Sequence, residues 1–154
     1  MRGPERVLLA LGFCGLGSCQ PPAREFPVRV TGEDFRWQIR YPGPDGVLDS
    51  DDDRFGERHL EVPARSTVHL DLRSTDFVYS FYLPDVPVLE VALPGQPVVI
   101  SFPVGEEQTL ELLGNQMCGY THPELLGEVR VRDEPGDQPP AGVGTRERAT
   151  ASSR

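Results

Sequence analysis

Residues 35–43 read Phe-Arg-Trp-Gln-Ile-Arg-Tyr-Pro-Gly. The apolar side chains of Phe35, Trp37 and Ile39 alternate with polar ones. Successive side chains of a strand point to opposite faces, so this period of two is typical of a half-buried strand. Pro42 and Gly43 then mark its end. The segment therefore predicts a β-strand with one face in a hydrophobic core.

The same alternation recurs along most of the chain. Apolar residues share one predicted strand face in five further sets: Val68, Leu70 and Leu72; Tyr79, Phe81 and Leu83; Val98, Ile100 and Phe102; Leu110 and Leu112; Val129 and Val131. Proline and glycine punctuate these segments, and none shows a sustained helical period. Short strands at this spacing predict an all-β sandwich.

A second informative segment, residues 114–125, reads Gly-Asn-Gln-Met-Cys-Gly-Tyr-Thr-His-Pro-Glu-Leu. It resembles the copper loop of cytochrome c oxidase subunit II, whose pattern is Cys-x-(Glu/Gln)-x-Cys-Gly-x-x-His-x-x-Met. Cys118, Gly119 and His122 match this pattern. Gly114 stands at the position of the first cysteine, and Leu125 stands at that of the methionine.

The resemblance extends beyond the loop. Residues 35–43 are similar to the family's aromatic strand, and residues 60–68 to its Leu-x-Val-Pro-x-Gly-x-x-Val strand pair. Residues 74–81 resemble Ser-x-Asp-Val-x-His-Ser-Phe, with Tyr79 in place of the histidine. Residues 90–95 resemble the turn that follows. The resemblance implies a cupredoxin-like Greek-key β-sandwich over residues 28–132, with the copper loop joining the last two strands.

The resemblance also implies a copper A centre with five side-chain ligands. Cys118 and His122 are retained, while the other three positions carry Tyr79, Gly114 and Leu125. A dinuclear centre needs two bridging thiolates, and one cysteine supplies only one. The sequence therefore predicts a mononuclear copper at most, for which His₂Cys with a weak axial ligand is the usual set.

Two further residues have roles that the resemblance implies. Gln116 stands where family members contribute a backbone carbonyl to copper, and Trp37 is an aromatic candidate for electron entry. A second imidazole would have to come from His59 or His69. Read without the resemblance, Cys118 is a small buried apolar residue and His122 a hydrogen-bonded structural histidine.

The N-terminal segment has the features of a bacterial lipoprotein signal. Arg2 and Arg6 precede a short apolar run, and residues 16–19, Leu-Gly-Ser-Cys, fit a lipobox that would make Cys19 the lipidated residue. We expect a signal peptide over 1–18, a tether over 19–27 and a disordered tail over 133–154. An ordinary secretory signal is the alternative. The expected location is extracytoplasmic, on the periplasmic side, with membrane attachment through lipid.

Composition narrows the partners. The formal net charge is −9, which disfavours nucleic acid and would steer a basic protein such as a cytochrome c towards the chain. An acidic loop contains Asp45 and residues 49–53. It reads as a solvated loop, although clustered carboxylates could also bind Ca²⁺.

These features favour a subunit II-like, lipid-anchored domain of a respiratory electron-transfer chain. Its partners would be oxidase core subunits, and it would have a structural or docking role or hold one copper. The alternative is a copper-binding or copper-delivery lipoprotein that uses Cys118 and His122. A hydrolase built on the same pair lacks an orienting acid and an oxyanion site. We expect no catalytic residue in this chain.

Overall fold

The computed structural model describes residues 24–117, 120 and 122–133. Ten strands run in chain order, with a short 3₁₀ turn at Pro123–Leu125 before the last: β1 Arg24–Glu33, β2 Arg36–Tyr41, β3 Arg54–Glu57, β4 Leu60–Pro63, β5 Ser66–Ser74, β6 Tyr79–Leu83, β7 Val88–Ala92, β8 Val98–Val104, β9 Gln108–Gln116 and β10 Leu126–Arg132. None of these residues forms a helix of membrane-spanning length and hydropathy.

The strands form two five-stranded sheets. The first sheet has the order β3-β2-β1-β5-β8 and the second has the order β4-β10-β9-β6-β7. Most neighbours are antiparallel, but β1 pairs with β5 in parallel, and β10 pairs with β4 in parallel. The predicted all-β sandwich is confirmed.

The core lies between the sheets and follows the sequence alternation. Along β5 every second residue is buried, with Val68, Leu70 and Leu72 fully so. Trp37 from β2 and Phe81 from β6 meet in this interior with their rings nearly perpendicular, 5.6 Å between centroids. The apolar faces of the two sheets cover one another, which supplies the main stabilisation of such a sandwich.

β1 begins at Arg24, inside the segment 19–27 that the sequence assigned to the tether. Its side chains continue the buried alternation through Phe26 and Val28, and its parallel ladder with β5 starts with Arg24 opposite Ser66. The two prolines at 21 and 22 marked a linker, but strand pairing extends closer to them than expected. The signal segment 1–18, Cys19 and the tail beyond Asp133 lie outside the described residues.

The acidic loop is fastened to the outer face of the first sheet by arginine. The Asp49 carboxylate accepts hydrogen bonds from both terminal nitrogens of Arg29, at 2.6 and 2.9 Å, and one from Arg40. The Nε of Arg29 donates to Asp71 at 2.8 Å. The bond to Arg29 holds the pKa of Asp49 below its usual value. Guanidinium groups thus neutralise the carboxylate that a cation would otherwise need to approach.

Candidate metal centre

The described residues of the copper-like loop lie at one end of the second sheet. β9 ends at Gln116, and β10 begins at Leu126 after the 3₁₀ turn. The N–H of Met117 donates to the carbonyl of Val78 at 3.0 Å, which ties the start of the loop to the residue just before β6. Cys118, Gly119 and Thr121 lie outside the described residues, so the geometry below concerns the other positions.

Tyr79 turns inward at the first position of β6. Its side chain is fully buried, and its hydroxyl donates to Oδ1 of Asp76 at 2.7 Å. The hydroxyl oxygen of Tyr79 in turn accepts the N–H of Phe35 at 3.3 Å. The ring lies so close to Gly32 that a Cβ there would stand 2.4 Å from the Cδ2 of Tyr79. The tyrosine thus occupies the interior at the position of the family's histidine ligand.

The phenol is a hydrogen-bond donor and stays protonated at neutral pH. Burial, together with the hydrogen bond to Asp76, raises the pKa of Tyr79 to about 12. Burial alone would raise the pKa of Asp76. The backbone N–H of Asp34 and the hydroxyl of Tyr79 donate to its carboxylate, so its pKa lies below the usual value. The donor–acceptor pair leaves no phenolate for a metal.

Gly114 is closed off by Trp37 and the turn before β10. The residue is buried on β9, opposite Phe81 on β6. A Cβ at this position would lie 2.5 Å from the carbonyl oxygen of Leu125 and 2.6 Å from the Nε1 of Trp37. Those two groups are hydrogen-bonded, with Nε1 donating to the Leu125 carbonyl at 3.0 Å. Space for a cysteine side chain is therefore taken by an indole and a peptide group.

Leu125 completes this arrangement with hydrocarbon. Its side chain is fully buried, as is the indole of Trp37. Trp37 also packs against Tyr79, with 5.6 Å between ring centroids. We call Trp37, Tyr79, Gly114 and Leu125 the interior plug. Entry of an electron through Trp37 remains a prediction, but its ring has no exposed edge.

His122 is half-buried beside the turn before β10, and its backbone carbonyl accepts the N–H of Leu125 at 3.0 Å. Its imidazole stacks on Phe35 at 4.2 Å between centroids, and Phe35 in turn stacks on Phe77 at 4.9 Å. Sequence reasoning missed this stack. Phe35 has a positive φ of 58°, so the chain turns sharply there, and the period-two pattern gave no sign of it.

The other candidate ligands lie elsewhere or are backbone groups. Gln116 is buried and pairs with Tyr79 across β9 and β6. The Nδ1 of His59 lies 3.6 Å from Glu128, and His69 contacts Ser101 and Glu25 on the outer face of the first sheet. Neither histidine supplies the second imidazole.

The described residues do not match the donor set of dinuclear copper. Gly114 offers no side-chain donor, Leu125 offers hydrocarbon, and the Tyr79 hydroxyl is committed to Asp76. Among residues 24–117, 120 and 122–133, no three His, Cys, Asp or Glu side chains form a metal-binding group. A site limited to Cys118 and His122 would suit one soft ion such as Cu(I).

The sequence is similar to two named subunit II proteins. It is 26% identical to the alternative cytochrome c oxidase subunit 2 of Bradyrhizobium diazoefficiens over 135 residues, 73% of this chain and 49% of that protein. It is 28% identical to the cytochrome c oxidase subunit 2 of Thermostichus vulcanus over 121 residues, 79% of this chain and 34% of that protein. The chain is a relative of cytochrome c oxidase subunit II. It spans about half the length of one relative and about a third of the other.

Solved structures of subunit II share the fold. The periplasmic domain of subunit II of cytochrome oxidase from Bradyrhizobium japonicum superposes with a TM-score of 0.59 at 19% identity, covering 73% of this chain and 88% of that one. A mixed disulfide between a thioredoxin-like protein and subunit II of cytochrome c oxidase gives 0.58 at 18%, covering 75% and 87%. The expected cupredoxin-like architecture is thereby confirmed. No protein-family model matches the chain.

Proposed function

We propose that the chain is a lipid-anchored, subunit II-like domain that serves a respiratory oxidase as a metal-free structural or docking subunit. The likeness to subunit II supports the respiratory setting. The observation that argues against a dinuclear copper centre, and so supports a structural or docking role, is the contact distance at Gly114. A cysteine there would collide with the Leu125 carbonyl and the Trp37 indole, both part of the packed core.

Packing and hydrogen bonds replace what metal ligation would supply to this end of the sandwich. Trp37 joins β2 to the turn before β10, and Tyr79 joins β6 to Asp76 and Phe35. The contact of Trp37 with Leu125 joins residues 88 positions apart, and that of Tyr79 with Phe35 joins residues 44 apart. The proposed domain therefore folds without copper, and its role rests on surfaces and not on electron transfer through a dinuclear centre.

The location and partners follow from the same proposal. A lipidated Cys19 would hold the domain at the extracytoplasmic face of a membrane, beside oxidase core subunits. The net charge of −9 would favour a basic partner such as a cytochrome c at long range. Replacing Cys19 with alanine and following incorporation of labelled fatty acid tests the anchor. Unchanged labelling of Cys19→Ala would contradict it.

A copper titration tests the metal-free role. The purified chain is titrated with Cu(I) and Cu(II) while the visible absorption and the bound copper per chain are measured. We expect no binding above that of a Cys118→Ser, His122→Ala double variant. Two coppers per chain with intense visible absorption would contradict the proposal.

One copper, lost in Cys118→Ser, would support the copper-delivery alternative instead. The specific observation in its favour is His122, which stands half-exposed at the loop four residues after Cys118. Its ring is held by stacking on Phe35, so a metal would bind an imidazole that is already oriented. Transfer of that copper to an apo-oxidase would then be the decisive measurement.

A further inference from the structure

The outer face of the second sheet carries a straight row of apolar side chains. Leu89 on β7 pairs with Tyr82 on β6, Tyr82 pairs with Leu113 on β9, and Leu113 pairs with Leu126 on β10. Directly paired residues project from the same face of a sheet, so the four side chains stand side by side. With about 4.8 Å between neighbouring strands, this row is about 14 Å long.

The row is open to solvent, most of all at the β7 end. Leu89 is 65% exposed and Tyr82 is 37% exposed, and Val91 on β7 lies beside them at 36%. Leu113 and Leu126 are half-buried. Single exposed apolar residues are ordinary, but a contiguous set on a flat sheet face marks an interaction surface. We call Leu89, Tyr82, Leu113 and Leu126 the apolar row.

The charges that border the row beside β6 and β9 are carboxylates, whereas at the β10 end the Nε of Arg58 donates to the carbonyl of Leu126 at 2.9 Å. Glu111 precedes Leu113 by two positions on the same outer face, and Asp85 accepts the N–H of Glu111 at 3.3 Å. Asp85 and Glu111 form no ion pair with any residue that the structure describes, whereas Asp49 and Asp71 on the outer face of the first sheet are bound to arginine.

We propose that the apolar row docks the domain onto an extracytoplasmic surface of the oxidase core that presents an apolar patch flanked by Arg or Lys. The proposal rests on the function proposed above and adds the surface and the partner's chemistry. The apolar centre would be desolvated on binding, and Asp85 and Glu111 would select basic side chains beside β6 and β9.

Charge argues against the other occupants of this face. A second copy would bring its own Asp85 and Glu111 to this face and its own net charge of −9, and like charges at an interface are unfavourable. The surface of an anionic membrane would be repelled for the same reason. A partner surface with an apolar patch and a basic rim would complement both the apolar row and the carboxylates beside it.

The test compares two exposed edge-strand residues on opposite sheets. The tagged full-length chain is expressed in the cell that makes it, and oxidase haem recovered with it from solubilised membranes is measured per mole of chain. Leu89→Arg changes the row. Val99→Arg is the matched control, because Val99 is 69% exposed on edge strand β8 of the first sheet. We expect Leu89→Arg to reduce the recovered haem about tenfold and Val99→Arg to leave it unchanged.

A charge variant and a folding check complete the design. Glu111→Arg should reduce recovery a fewfold and weaken its dependence on salt, since a rim charge acts mainly through steering. Equal thermal midpoints for Leu89→Arg and Val99→Arg would show that folding is unaffected; if Leu89→Arg unfolds, Tyr82→Ser replaces it.

The outcomes separate this inference from the function beneath it. Haem that accompanies the wild-type chain and both variants equally would overturn docking through the row and leave the oxidase role standing. No haem with the wild-type chain would overturn both. Concentration-dependent dimers of the wild-type chain that Leu89→Arg abolishes would assign the row to a second copy and overturn the partner proposed here.

Discussion

The interior plug and the arginine-bound outer face of the first sheet both fasten segments that are distant in sequence, by opposite physical means. In the plug, an indole donates to a peptide carbonyl and a phenol donates to a carboxylate, within packed hydrocarbon. On the outer face, Arg29 lies between Asp49 and Asp71 near water. Each region should therefore respond to a different perturbation. The stability of the plug depends on side-chain volume, and that of the outer face depends on salt and acid.

The largest effect is expected from adding a single methyl group to the plug. Gly114→Ala places a Cβ 2.5 Å from the Leu125 carbonyl oxygen and 2.6 Å from the Nε1 of Trp37, so the hydrogen bond between them must open. We expect the free energy of unfolding to fall by about 3 kcal/mol, the upper range for overpacking. Urea denaturation measures it.

Gly105→Ala is the control, because nothing lies within 4 Å of a Cβ there. Its stability should stay within about 0.5 kcal/mol of the wild type. If Gly114→Ala and Gly105→Ala are equally stable, the interior plug is not closely packed, and room for a cysteine exists after all.

Removing the hydroxyl of Tyr79 should have the second-largest effect. Tyr79→Phe leaves Asp76 without one donor and the N–H of Phe35 without its acceptor. The free energy of unfolding should fall by about 1.5 kcal/mol, typical of a partly buried hydrogen bond whose partner remains. Chemical denaturation at pH 7 gives the value, and Tyr82→Phe, on an exposed face, serves as the control.

Tyr79→Phe should also change how the stability of the protein depends on pH in alkaline solution. The pKa of Tyr79 and that of Tyr41 are both raised to about 12 in the fold, above the ordinary value near 10. Folding therefore favours the protonated phenols, and this stabilisation is complete below pH 10 and lost as pH rises through 12. Wild-type stability should decline over that window. A decline equally steep in Tyr79→Phe would contradict the assignment.

Arg29→Met tests the outer face of the first sheet. It should lower the free energy of unfolding by about 1 kcal/mol, since the Arg29–Asp71 pair is only partly shielded from water. The pKa of Asp71 lies below its usual value because hydrogen bonds from Arg73 and Arg29 outweigh its burial; that of Asp49 is lowered by Arg29. Their contribution is present above pH 4 and is lost as pH falls.

The stability effects of the two variants should differ in their dependence on salt and pH. The stability difference between wild type and Arg29→Met should shrink in 1 M salt and at acid pH, whereas that of Gly114→Ala should not change with salt. Arg65→Met is the control: its partners Glu106 and Asp133 are exposed, so its effect should be close to zero. A salt-independent loss in Arg29→Met would mean that packing of its methylene groups holds the outer face.

The smallest effect on stability is expected at the apolar row and its counterpart. Leu89→Arg and Val99→Arg should each change the free energy of unfolding by less than about 0.5 kcal/mol, because both side chains project into water. A large loss in Leu89→Arg alone would mean that the row stabilises the domain itself.

The sequence predicted the strands well and the closed site only in part. Alternation correctly placed Trp37, Tyr79 and Leu70 in the core, because burial on one face is a local property of a strand. The hydrogen bond from Trp37 to Leu125 joins residues 88 apart, and its geometry depends on how β2 meets the turn before β10. No local pattern encodes that meeting, and the positive φ of Phe35 was equally hidden.

The parallel ladder between β1 and β5 has a consequence for how quickly the protein folds. β1 is the middle strand of its sheet, yet Arg29 pairs with Asp71, 42 residues later. Chain closure over that distance must precede any gain from the ladder, so folding should take milliseconds to seconds and not microseconds. During synthesis β1 can pair at once with β2, but its other edge stays unpaired until β5 emerges, and a nascent chain at that stage is the form most in need of a chaperone.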